Sequence, residues 1–388
     1  KDGDQDLILA GGSCERPLEV AEAFQPQLWL NDGKGNFSLT KDFLTLTVSS
    51  HTIETLDFDN DNDLDIFIGG RMIPNKYPIS PRSYILRNDN GKFVDITAQI
   101  APFLSDLGMV CDAAVVDLDK DNFKELVVVG EWMPLTVMKN NRGKFLLQQT
   151  KQTEGWWNTV EATDLTNDGF PDLVLGNEGK NTFYSATPKQ PLVLLAKDFD
   201  ENGRIDPVMG QYVNGELVPV HSRENLNLQI NAFRKKFTTY KDYSTVLLED
   251  LFSDNDKKGA LRKEVYELSS TIAINDGKGS FKLKALPWQA QQSPIFSIIS
   301  KDFNSDGKTD LFLAGNFFPN EAHQGRQDAS RGVILLGNGK GNFNALDFES
   351  CGLNLKFDTR RSLFFDNQNL LLAFSNSGKC LTYRLLPK

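Results

Sequence analysis

A nine-residue acidic loop recurs along this chain, and each copy runs directly into a short apolar strand. The fullest copy reads Asp57-Phe-Asp59-Asn-Asp61-Asn-Asp63-Leu-Asp65, followed by Ile66-Phe-Ile-Gly-Gly70. Four more place oxygen side chains at positions one, three, five and nine. They are Asp117, Asp119, Asp121 and Glu125; Asp164, Thr166, Asp168 and Asp172; Asp198, Asp200, Asn202 and Asp206; and Asp302, Asn304, Asp306 and Asp310. Short oxygen ligands alternating on a tight loop suit Ca²⁺, a hard cation that takes six to eight oxygens. Gly or Asn at position six supplies the left-handed backbone that such a turn needs.

The loops are periodic. Their closing acids fall at 6, 65, 125, 172, 206 and 310, with Asp2-Gly-Asp-Gln-Asp6 as the tail of a further copy. Most steps are about 35 to 60 residues, the size of one four-stranded propeller blade. The step from 206 to 310 is too long for one unit and must hold an insertion. A degenerate seventh copy, with its acidic spacing lost, lies at Phe364-Phe-Asp366-Asn-Gln-Asn-Leu-Leu-Leu-Ala373 and should be metal-free. A second motif alternates with the loops, beginning at Asn31, Asn88, Asn140, Asn275 and Gly337 and ending in Phe five or six residues later. Its Asn-Gly and Asp-Gly steps between apolar runs signal tight β-hairpins. Each unit therefore reads as four antiparallel strands. Seven such units predict an all-β fold, a seven-bladed β-propeller with a small helical insertion.

These loops, each followed by an apolar strand, resemble the FG-GAP (VCBS) repeat family, whose calcium-loop propellers also form integrin α-subunit heads. The resemblance covers nearly the whole chain except roughly 221–265 and is specific to a scaffold. The phrases Gly130-Glu-Trp-Met-Pro134, Gly155-Trp-Trp-Asn158 and Val220-His-Ser-Arg223 are similar to a group of exported, surface-associated bacterial repeat proteins. The family pattern implies metal binding through side chains one, three, five and nine, with the main-chain carbonyl at position seven. The carbonyls would come from Asp63, Phe123, Phe170, Arg204 and Lys308. About five structural Ca²⁺ are implied, with Thr166 marking the weakest site.

The formal net charge is −10, and 17 of the 52 acidic residues sit at these ligand positions. Five bound Ca²⁺ would bring the protein near neutrality. No basic stripe is present, which argues against nucleic acid, and the Arg234-Lys-Lys236 cluster reads as a solvated helix face. No run is long and apolar enough to span a bilayer. Because residue 1 falls inside a loop motif, the N-terminus is expected to be incomplete, with any export signal or lipid anchor upstream. Exported placement, at the cell surface, associated with the outer membrane or extracellular, is the corresponding expectation. Cys14, Cys111, Cys351 and Cys380 admit disulfides or free thiols equally well.

Two rival motif readings fail. An EF-hand needs flanking helices and an acid at position twelve, where this chain has Ile68, Val128, Leu175, Met209 and Leu313. Gly307-Lys-Thr309 mimics the end of a phosphate loop, but Asp302 stands where its first Gly should be.

The residues just past the Gly-ending strands (Arg71, Glu131, Asn177, Gln211, Asn316, with Ser13 as an equivalent) should lie on the face opposite the acidic loops. Neighbouring connections bring Trp132, Trp156, Trp157, Asn158, His221, Arg223 and His323 to the same end. Aromatic side chains beside Asn, Gln, Arg and Glu make a platform for a glycan or a partner protein. The competing reading makes Trp156 and Trp157 wedges between blades. Residues 221–265 carry helical spacing, for example Leu226, Ile230, Phe233 and Phe237, and read as a helical insertion within a blade. No nucleophile motif, zinc spacing or dinucleotide loop is present. The enzyme alternative is a polysaccharide lyase using His221 with Arg223, or His323 with Arg326. The favoured expectation is a non-catalytic binding or assembly module.

Overall fold

Apolar runs flanked by turn residues become strands throughout. The computed structural model describes residues 3–12, 20–41, 43–320, 324–376 and 378–384, and the chain is mostly β. The first sheet contains Leu7–Leu9, Gln27–Asn31 and Phe37–Leu39. The second contains Ser49–Leu56, Asp65–Met72, Tyr84–Asp89 and Lys92–Asp95. Met109–Val116, Glu125–Met133, Thr136–Asn140 and Phe145–Gln149 form the third, to which Gly155–Trp156 adds. The fifth holds Ile295–Lys301, Asp310–Gly315, Val333–Gly337 and Phe343–Ala345. The sixth holds Thr359–Phe365, Leu370–Ser375 and Leu381–Arg384. All pairings within these named sheets are antiparallel.

The fourth sheet departs from the simple repeat. Its strands Thr159–Thr163 and Asp172–Gly176 pair onward with Thr271–Asn275 and Phe281–Ala285, so residues 177–270 are nested between neighbouring strands. Within that interval Leu192–Lys197, Asp206–Val213, Glu216–Pro219 and Leu261–Val265 form a separate four-stranded sheet, the inserted sheet. The long step in the repeat therefore belongs to the 164–172 loop and its distant hairpin. The 198–206 loop sits inside the insertion. Short helices lie at Arg223–Gln229, Phe233–Lys236, Tyr240–Tyr243 and Asp254–Lys257, and the last five residues of the 221–265 interval are a strand. Seven sheets among the described residues equal the expected number of units, but only six follow one another along the chain.

Stacking of consecutive sheets builds the core. Side chains alternate across a strand, so a central strand can face two neighbours. In the third sheet Leu126 and Val128 pack toward Phe67 and Ile85 of the second, while Val127 and Val129 pack toward Leu173 and Leu175 of the fourth. Val174 and Ile272 meet Leu311 and Leu313 of the fifth, whose Phe312 and Ala314 meet Leu371 and Ala373 of the sixth. Burial on both faces explains why these strands read as continuous apolar runs. The fourth and fifth sheets pack directly, so the inserted sheet does not stand between them. One of its faces, Val193, Leu195 and Val208, is covered by Leu226, Ile230 and Phe233 of the helices. Its other face, Leu192 and Leu194, packs with Met109 and Trp132.

Candidate functional site

The acidic loops are folded by their own backbone. Asp57 at position one accepts hydrogen bonds from the N–H groups of Asp61 and Asn62 at 3.1 and 3.0 Å. Asp302 does the same with Asp306 and Gly307, at 3.1 and 2.8 Å. Position nine is buried at the loop base, where Asp65 accepts from Phe58 N–H at 3.2 Å and Asp172 from Leu165 N–H at 3.0 Å. Its second oxygen takes the N–H that opens the hairpin motif: Asn88 to Asp65, Asn275 to Asp172 and Gly337 to Asp310, each at 2.8 Å. Asn31 N–H reaches Asp6 at 2.9 Å in the same way. The two sequence motifs are thus halves of one device. Hairpins also reach the loop of the preceding sheet, Asn140 through Phe58 O and Asn275 through Leu118 O, which gathers the loops at one end of the sheets.

Left-handed backbone occurs at position six, as at Asn62, Asn122 and Gly169, and also at position four: Asn60, Lys120, Asn167, Glu201 and Ser305 have φ of 57–63°. The sequence does not announce the second of these, since Lys, Glu and Ser seldom adopt that region.

Three loops bring acidic oxygens together within 4.8 Å: Asp57, Asp59 and Asp61; Asp117, Asp119 and Glu125; and Asp198, Asp200 and Asp206. Asp59 Oδ1, Asp117 Oδ1, Asp119 Oδ1, Glu125 Oε1 and Asp200 Oδ1 are sealed from solvent with no hydrogen-bond donor. Orphaned carboxylate oxygens facing one another are what a cation would satisfy. Burial pushes the Asp65 and Glu125 carboxyls up to about 7, and it also raises Asp59, Asp206 and Asp310. The other two loops are arranged differently. Thr166 Oγ1 donates to Asp172 at 3.3 Å, and Lys308 Nζ lies 3.1 Å from Asp306. At the degenerate copy, Asp366–Gln368 form a short 3-10 turn that Asn369 closes at φ 49°.

At the other end of the second strands lies a cavity of about 380 Å³. Arg71, Glu131, Trp132, Trp156, Asn158 and His221 line it together, joined by Tyr77, Glu178, Tyr184, Phe296, Phe317 and, from the inserted sheet, Leu194 and Met209. Arg71 Nη2 donates to Glu131 at 2.5 Å, Tyr77 Oη to the other Glu131 oxygen at 2.7 Å, and Trp132 Nε1 to Tyr77 Oη at 2.6 Å. Trp132 itself has φ 58°, a conformation that strains a bulky residue. Trp156 packs edge to face between Trp132 and Tyr184, with ring centroids 5.5 and 4.9 Å away. Arg71 Nη1 and Trp156 Nε1 are sealed and have no acceptor.

The titratable groups of the cavity are shifted by burial. Glu178 is pushed up to about 7 despite accepting hydrogen bonds from Gln327 and Thr182, and the Cys111 thiol to about 11, which keeps it protonated. Burial works against the charge of Arg71, but the Glu131 carboxylate paired with it holds its guanidinium above its ordinary value.

The other expected ligand residues serve elsewhere. Trp157 is fully buried and donates to Thr153 O at 2.9 Å, a wedge between sheets. Asn177 and Asn316 are buried clamps on backbone carbonyls, on Glu267 O and on Ser330 O and Phe357 O. Gln211 lies on the inserted sheet outside the cavity lining, with its Oε1 sealed and unpaired. Arg223 spends its guanidinium on Phe237 O and Thr238 O at 2.7 and 2.8 Å, so it is not placed as a partner for His221. Arg326 stacks on Phe318 at 4.9 Å, and His323 lies outside the described residues, as do Ser13 and Cys14. Cys111, Cys351 and Cys380 form no disulfide. Sequence reasoning missed Tyr77, Glu178, Tyr184 and the inserted-sheet wall. Only the bulk of Tyr77 and Tyr184 in irregular segments marked them in advance.

A family profile described as FG-GAP-like repeat matches residues 1–68 and 117–175. No curated protein matches the sequence. Among solved structures, the chain is similar to the biofilm matrix protein Bap1 of V. cholerae, at 12% identity and a TM-score of 0.37, with 97% of this chain and 72% of that one covered. At that distance the likeness bears on neither ligand nor location.

Proposed function

We propose, for a chain that carries FG-GAP-like repeats at 1–68 and 117–175, a non-catalytic binding module whose ligand seat is the aromatic cavity and whose scaffold is stapled by calcium. One observation carries the reading: two sealed donors, Arg71 Nη1 and Trp156 Nε1, stand without acceptors in an aromatic-walled cavity. Unsatisfied buried donors cost about 1–3 kcal/mol each, and a ligand with acceptor oxygens removes that penalty. Concave, mostly apolar sites with a few convergent polar groups are the usual form of a ligand pocket.

Calcium is the cation that suits the oxygen-only loops, and its role here is structural, since each loop joins two strands and a hairpin. The stacked sheets are read as blades of a β-propeller around the first strands, which pack on one another in succession from the second sheet to the sixth. In this arrangement the six consecutive sheets are the blades. The inserted sheet, which completes the expected seven units, walls the mouth instead. The helices cover its far side rather than the cavity. No helix is long and apolar enough to cross a membrane among the described residues. An exported, surface-exposed protein that captures a glycan, with a partner protein as the other candidate, is the functional reading.

The test is calorimetry of the calcium-loaded protein against a glycan panel, with Trp156→Ala beside wild type. Capture that Trp156→Ala weakens at unchanged melting temperature supports the seat. Equal capture by both proteins removes it. Release of unsaturated uronides, read by absorbance and lost in His221→Ala, would establish the lyase instead. Labelling of intact cells with an antibody to the folded protein tests exposure at the surface.

A further inference from the structure

The cavity does not end at its aromatic wall. Gln324 and Gln327 line both the inner chamber and a second depression of about 320 Å³, which Thr182, Phe183 and Arg326 also border. Phe183 is 66% exposed there, an apolar ring with no core to fill. A single sugar ring or side chain in the inner chamber would leave this outer surface unused.

Charge selects the inner occupant. Among the described lining residues the one guanidinium, Arg71, is already paired with Glu131, and Glu178 adds a second carboxyl. An anionic group would meet two carboxyls and one neutralised cation. Hydroxyl groups fit better, because each can accept from Arg71 Nη1 or Trp156 Nε1 and donate to a glutamate. Aromatic side chains can meanwhile cover the apolar face of a sugar ring.

We infer that the groove binds a sugar chain, with a neutral residue in the inner chamber and the next residue across Gln324 and Gln327 against Phe183. This rests on the reading of the inner chamber as a ligand seat. It goes further by fixing the charge of the inner residue and the minimum length of the ligand.

Calorimetry on the intact calcium-loaded chain decides it. The probes are the methyl glycosides of glucose, galactose and mannose, their trisaccharides, and glucuronate and galacturonate, all at pH 8. One trisaccharide should bind at least tenfold tighter than its methyl glycoside. Phe183→Ala should erase that advantage and leave the methyl glycoside affinity unchanged. Uronates should bind at least tenfold more weakly than their neutral parents. A uronate that binds as tightly as its parent overturns the neutral assignment. A trisaccharide advantage that survives Phe183→Ala overturns the outer subsite, while monosaccharide binding that Arg71→Gln abolishes keeps the inner seat. No binding by any of these sugars overturns both the inference and the glycan seat beneath it.

Discussion

The acidic loops and the aromatic cavity occupy opposite ends of the same strands and are built by opposite means. Each loop closes largely on itself: its first carboxylate and one oxygen of its ninth bond backbone N–H groups within seven residues, as at Asp57, Asp164, Asp172 and Asp302. The cavity draws Arg71 from the second sheet and Tyr77 from the connection that follows it, Glu131 and Trp132 from the third sheet, Leu194 and Met209 from the inserted sheet and Phe317 from the connection between the second and third strands of the fifth. The loops are a local code used repeatedly. The cavity exists once, and only when several sheets have stacked. Damage to a loop should therefore act on stability, and damage to the cavity lining should act on binding.

Calcium removal should give the largest effect. With free Ca²⁺ at a hundred times its dissociation constant, each occupied site adds ~2.7 kcal/mol. Chelation should lower the melting temperature steeply, and Asp59→Ala should remove one bound ion by direct metal titration. An unchanged melting curve in chelator would show that the loops stand without metal. Next in size is the contrast between two adjacent tryptophans. Trp157→Ala should cost ~3–5 kcal/mol as a core truncation, read by denaturant unfolding. Trp156→Ala should leave the unfolding midpoint nearly in place and weaken ligand capture about tenfold, ~1.4 kcal/mol. Equal destabilisation by both would merge the cavity with the core.

Burial also makes stability depend on pH. Glu178 titrates near 7 in the folded chain, and Glu54, buried beside Asp112, is likewise pushed up to about 7. The folded state holds these protons more tightly than the unfolded state. Their contribution is thus fully present below the ordinary glutamate value and is lost as pH rises through about 7. The melting temperature should fall between pH 5.5 and pH 8, and Glu54→Gln with Glu178→Gln should flatten that fall. A slope of the same size in the double variant would assign it to other groups. The smallest effect should come from position four of a loop. Glu201 holds φ 57°, and Glu201→Gly should stabilise the calcium-loaded protein by about 0.5–1 kcal/mol in denaturant unfolding. A loss of stability there would mean that the Glu201 side chain contributes more than its backbone conformation costs.

Much of this was legible in the residues because its causes are short-ranged. Alternating oxygens, a left-handed position six, apolar strand runs and Asn-Gly turns predict loops, strands and hairpins in the places where they occur. Trp156 and Trp157 show where legibility stops. Both follow Gly155 in one short phrase, yet one lines a cavity and the other is fully buried between sheets. A strand alternates its faces, but which face meets solvent is set by the neighbouring sheet. Asn177 and Asn316 stand at equivalent strand ends to Arg71 and Glu131, but their amides are taken by backbone carbonyls of adjoining segments. The position of Tyr77 in the relay was invisible for the same reason.

The sequence by itself determined the repeat, the acidic loops and the uninterrupted antiparallel units, because the turns that make them are closed by residues near one another along the chain. The tertiary structure alone decided that residues 177–270 interrupt a sheet, that the inserted sheet rather than its helices walls the cavity, and that Arg71 and Trp156 are left with unsatisfied donors. Those facts depend on which sheet packs against which, and contacts across a hundred residues leave no periodic mark on the chain.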